Sequence, residues 1–112
     1  MIAQKQRLRT KRTRRESQTE KVFNLHAAKW QEETKALSSV TAKSIHPSYQ
    51  TIIALGPEVI PYIFKRMQNE PNDWFWALRY LCKTDPVPAK DAGDLQRMTQ
   101  AWLRWASQHH YL

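Results

Sequence analysis

Large apolar residues in this sequence recur at helical spacing and nowhere in sustained alternation, which argues against a β-sheet. Phe23, Trp30 and Leu37 stand seven residues apart, with Val22, Ala27 and Thr34 alongside. They form one stripe, so a helix of about 20 residues is expected from Ser17 onward. Lys21, Lys29, Glu32, Glu33 and Lys35 take its other face. Ser17 stands three residues before Glu20, the spacing of a capping box, in which each side chain satisfies an orphan amide of the first turn.

Prolines, glycines and short polar residues divide the rest of the chain. The polar run SSVTAKSIHPSYQ interrupts the stripe, and Pro47 suits the first turn of a second helix, with Ser44 or His46 near its cap. Tyr49, Ile52, Ile53 and Leu55 line that helix, and Gly56 closes it in a backbone region that other residues avoid. Pro57 restarts a helix with Val59, Ile60, Ile63, Phe64 and Met67 inward and Lys65, Arg66 and Gln68 outward. Pro61, one turn in, predicts a kink or a tight first turn. Asn72 is the expected cap of the next helix, DWFWALRYLC, which is apolar around most of its circumference and reads as central. After the loop KTDPVPAKDAGD, Asp94 is placed to cap a last helix with Leu95, Met98, Trp102 and either Trp105 or Ala106 on one face. The fold expected is all-α: a compact bundle of about five helices over residues 17–112, preceded by a flexible basic arm over residues 1–16. The helices on either side of Gly56 resemble one HEAT-type hairpin.

Charge is segregated along the chain. Lys5, Arg7, Arg9, Lys11, Arg12, Arg14 and Arg15 precede the first acid, Glu16. The remaining residues carry eleven Lys and Arg against ten acids, so most of the net +8 lies in the arm. Such a segment binds phosphate backbones by counterion release and needs no fold to do so. Arginine adds bidentate contacts to phosphate. A solvated tail, protein docking and targeting are the other readings of the same charge. The start lacks the apolar core of a secretory signal, and no apolar run is long enough to cross a membrane. Cys82 is the only cysteine, so a reducing, cytoplasmic setting and a small buried thiol are expected.

From Phe23 onward the chain resembles a small, uncharacterised family of bacterial helical proteins. The resemblance rests on Trp30 with Glu33-Thr34, Ser38-Ser39, His46-Pro47-Ser48-Tyr49-Gln50, Ile52-Ile53 with Gly56-Pro57, Ile60-Pro61, Trp74-Phe75-Trp76-Ala77-Leu78, Asp85-Pro86-Val87-Pro88 and Ala101-Trp102-Leu103-Arg104-Trp105. It implies a bacterial cytoplasmic protein and carries over no activity, cofactor or site residue.

Two groups of residues are candidates for function. The first is the seven cations of the arm. The second is Trp76, Arg79, Tyr80 and Lys83, which share a helix face if Trp74, Leu78 and Leu81 face the core. Aromatics interleaved with cations stack bases or anchor a partner, whereas burial of the helix on both sides leaves no such face. A base-reading helix-turn-helix around Gly56 is disfavoured, because the second helix opens with core residues in place of polar ones. With two glycines in the chain, phosphate-binding Gly loops are excluded. No two histidines have the spacing of a helical metal site, so no metal and no cofactor are expected. A nucleophile–base pair between Cys82 or a serine and a distant histidine has no local mark. The expected function is that of a small non-enzymatic accessory protein whose arm contacts DNA or RNA without sequence preference. The alternative is a protein–protein adaptor, or the small subunit of a bacterial complex, whose arm docks on an acidic surface.

Overall fold

The computed structural model describes residues 16–112. Six helices follow one another: α1 (Gln18–Thr34), α2 (Val40–Ser44), α3 (Pro47–Ala54), α4 (Ile60–Asn69), α5 (Phe75–Cys82) and α6 (Leu95–Gln108). Short 3-10 turns at Pro57–Val59 and Ala89–Asp91 join α3 to α4 and α5 to α6, and no strand occurs among the described residues.

Local signals set most of these boundaries. The Ser17 hydroxyl accepts the Glu20 amide at 3.0 Å, and Asp94 accepts the Arg97 amide at 3.0 Å, so both expected caps form. The His46 imidazole caps α3 by accepting the Ser48 amide at 3.0 Å. Gly56 closes α3 with φ 86° and ψ −170°, a conformation reserved in practice for glycine. The Pro57 and Pro61 pair yields the tight first turn: the chain passes through the 3-10 turn before α4 begins.

Other expectations are corrected. The first helix stops at Thr34, whose hydroxyl turns back to the Trp30 carbonyl at 2.6 Å. Leu37 therefore lies beyond the stripe and is exposed. The polar run after it contains a helix of its own, α2, capped by Ser39 accepting the Ala42 amide at 3.1 Å. Asn72 does not cap α5; its side chain holds the Asp73 amide at 2.7 Å. Across the core, α3 packs mainly on α1 and α4 on α6.

The core has two aromatic centres. In the first, Trp30 from α1, Tyr49 from α3 and Trp74 at the start of α5 pack with ring centroids 4.5 to 5.8 Å apart, and Phe23 lies 5.8 Å from Trp74. In the second, Phe64 of α4 meets Trp102 and Trp105 of α6 at 6.2 Å and Tyr111 at 5.7 Å. Trp30, Trp74 and Trp102 are fully buried. Tyr49 has a polar task as well. Its hydroxyl donates to the Asp73 carbonyl at 3.0 Å and accepts the Ala77 amide at 3.0 Å. Ala77 is in the first turn of α5, which has no side-chain cap of its own, so Tyr49 caps that helix from across the core. Burial, the larger cause, and the nearby Asp73 push the Tyr49 phenol well above its ordinary range.

Replacing Trp30, Trp74 or Trp102 by Ala is expected to cost about 3–5 kcal/mol each in chemical denaturation. Tyr49→Phe keeps the ring but leaves the buried Ala77 amide unpaired, and is expected to cost about 1–3 kcal/mol. Because the folded state holds the phenol neutral, the stability Tyr49 contributes is complete below about pH 10 and is lost as pH rises above it. Titrating wild type and Tyr49→Phe through that window checks the assignment.

Candidate interaction surface

Once Tyr49 and Trp74 fix the inner side of α5, the opposite side is determined by helix geometry. Ala77, Leu78 and Leu81 are buried, while Trp76, Arg79, Tyr80 and Lys83 are all exposed. The structure brings these four predicted residues together on one face and overturns the expectation of a helix buried all round. Trp76 is 41% exposed and Tyr80 56%. Their rings stack within 6° of parallel, with centroids 5.8 Å apart, as i and i+4 neighbours on the helix. The Lys83 ammonium lies 5.5 Å over the Tyr80 ring, continuing the column.

Lys83 ends α5 in the left-handed conformation, with φ 58°. Glycine is the usual residue there, because a Cβ makes the conformation unfavourable by about 1 kcal/mol or more. The chain accepts that strain with a lysine whose side chain folds over an exposed aromatic ring. Neither Arg79 nor Lys83 forms an ion pair with a carboxylate among the described residues.

A depression lies on each side of this column. One, of about 230 Å³, is walled by Trp76 and Phe75 of α5, Val40 of α2, and Leu95 and Met98 of α6, with Arg79 and Asp73 at its edge. Val40 and Leu95 are 54% and 42% exposed. The Asp73 carboxylate is neutralised by the Lys43 ammonium at 3.0 Å. The other depression runs between Tyr80 and Lys83 on one bank and Gly56 and Pro57 on the other. Sequence reasoning misses the part played by Val40 and Leu95. Val40 lies in a run that reads as a linker, and helical spacing alone places Leu95 on the core face of α6.

The seven arm cations, Lys5 to Arg15, lie outside the described residues, but the root of the arm is fixed. Ser17 contacts the Tyr62 hydroxyl at 3.3 Å, and Thr19 donates to Glu58 at 2.8 Å. Glu58 directly follows Pro57, which borders the second depression together with Tyr80 and Lys83.

The histidines serve the frame. His26 meets the Ser48 hydroxyl at 3.1 Å, but Ser48 is buried, so this serine–histidine pair ties α1 to α3. His46 reaches Glu33 at 2.7 Å. No three His, Cys, Asp or Glu side chains among the described residues are grouped closely enough to hold a metal ion. No helix among them is long and apolar enough to cross a membrane. Cys82 is half-buried where a small buried thiol is expected, and desolvation pushes its pKa up to about 11. No protein-family profile, curated protein or solved structure matches the chain.

Trp76→Ala is expected to change the melting temperature little, whereas Trp74→Ala lowers it by many degrees, since only the latter empties core volume. Lys83→Gly is expected to stabilise the fold by about 1 kcal/mol by relieving the left-handed strain. Thermal melts of the three variants check both statements.

Proposed function

We propose that the protein is a small non-enzymatic accessory factor that contacts nucleic acid through its N-terminal arm. The observation that carries this reading is the segregation of charge. Seven cations without one acid precede Glu16, while the rest of the chain is almost neutral. Neutralising phosphates along a backbone releases condensed counterions and requires no base-specific geometry, so DNA and RNA of any sequence are ligands in kind. The domain orients the arm and adds Arg79 and Lys83, two cations with no ion-pair partner among the described residues, on a nearby face. The resemblance to a bacterial helical family and the lone half-buried cysteine support a bacterial cytoplasmic setting.

A second reading, a protein–protein adaptor, draws on a different observation. Val40, Trp76 and Leu95 expose apolar surface around a single depression, and exposed aromatics of this kind anchor partner chains.

Deleting residues 1–15 is expected to abolish binding to random-sequence nucleic acid while leaving the helical circular-dichroism signal almost intact. For the full chain, log K against log salt is expected to fall with a slope of magnitude up to about 6, as for seven phosphate contacts. Equal affinity of the truncated protein would refute the role of the arm.

A further inference from the structure

We propose that the depression beside Trp76 receives one unpaired base of a single-stranded nucleic acid, so that the ligand class is single-stranded and not duplex. This inference rests on the arm's binding of phosphate and adds a selectivity that the arm alone does not supply.

The geometry is that of an aromatic column beside a depression. Tyr80 stacks on Trp76 and Lys83 covers Tyr80, so the two rings and the ammonium occupy one another. Trp76 also borders the depression of about 230 Å³, which Val40, Phe75, Gly93, Leu95 and Met98 line with it. That volume is below the roughly 300 Å³ at which sites for drug-sized ligands begin, which suits a single flat ring system. A base entering there extends the column and is flanked by aliphatic side chains, which contact its faces without selecting its identity.

Charge decides between a base and an apolar protein side chain as the occupant. Arg79 lies at the rim of the depression and Lys83 one helical turn further along the same face, both without ion-pair partners among the described residues. The one carboxylate at the rim, Asp73, is held by Lys43 at 3.0 Å and adds no net negative charge. A nucleotide brings a phosphate on each side of its base toward these cations, which a lone apolar side chain does not. A duplex supplies the phosphates but keeps its bases stacked inside, so it engages the cations and leaves the depression empty.

The test uses the full chain with a short labelled oligo-dT strand, the same strand annealed to its complement, and the variants Trp76→Ala and Arg79→Gln. Trp76 is partly exposed and Arg79 exposed, so both variants are expected to fold, which circular dichroism checks. Wild type is expected to bind the single strand more tightly than the duplex. Trp76→Ala is expected to weaken single-strand binding about tenfold or more and to leave duplex binding unchanged. Arg79→Gln is expected to weaken both and to lower the salt slope by about 1. Equal binding of strand and duplex, unmoved by Trp76→Ala, overturns the inference and leaves the arm's role standing. Absence of binding to either ligand overturns the arm's role as well. Self-association that Trp76→Ala abolishes, with nucleic-acid binding unchanged, assigns the depression to a second copy of the chain and also overturns the inference.

Discussion

One hydroxyl group joins the parts of this domain. Tyr49 donates to the carbonyl of Asp73 and accepts from the amide of Ala77, at 3.0 Å in each case, with its ring packed between Trp30 and Trp74. The first bond fixes the turn that precedes α5, and the second satisfies an amide in the helix's first turn. Around it, Lys43 holds the Asp73 carboxylate, and Trp30 donates its indole N–H to the Lys43 carbonyl at 2.9 Å. α1, α2, α3 and the start of α5 are thus locked by one small network inside an aromatic cluster. The Tyr49–Ala77 bond is fully buried and is costly to break, because the amide left behind has no solvent to turn to.

Fixing α5 at its start also fixes what it shows. With Trp74, Leu78 and Leu81 held inward, Trp76, Arg79, Tyr80 and Lys83 have only the outer side left to them. The exposed column is therefore a consequence of the same contacts that close the core. The terminal residue adds a cost of its own, since Lys83 keeps a left-handed backbone that glycine would adopt without strain.

Signals that act within one turn are legible in the sequence. The caps at Ser17 and Asp94, the closing Gly56 and the Pro57–Pro61 start each depend on residues a few positions apart. The inward places of Trp30, Trp74 and Trp102 follow from helical spacing. Longer-range effects are not legible. Periodicity carries the first helix on to Leu37, but the Thr34 hydroxyl bonds back to Trp30 and α1 ends there, letting α2 and α3 fold back against it. Asn72 is the natural local cap for α5, yet Tyr49, 28 residues from Ala77, takes that place. The grouping of Trp76, Arg79, Tyr80 and Lys83 can be read from spacing, but their exposure cannot. It depends on which helices fail to cover α5, and Val40 and Leu95 meet beside Trp76 only through the folded chain.

The arm and the face of α5 attract in physically different ways. The arm's attraction is electrostatic, reaches over about 10 Å at moderate salt, and is indifferent to whether bases are paired. The aromatic column acts only at contact, is largely independent of salt, and requires a free ring face. On the proposed function the arm would govern encounter, and α5 would discriminate after it. The arrangement of the domain fits that division. Thr19 ties the start of α1 to Glu58, the neighbour of Pro57, and Pro57 borders a shallow depression with Lys83. The near-neutral remainder of the domain adds little long-range field of its own, so on the proposed function the arm would supply most of the attraction for a charged ligand.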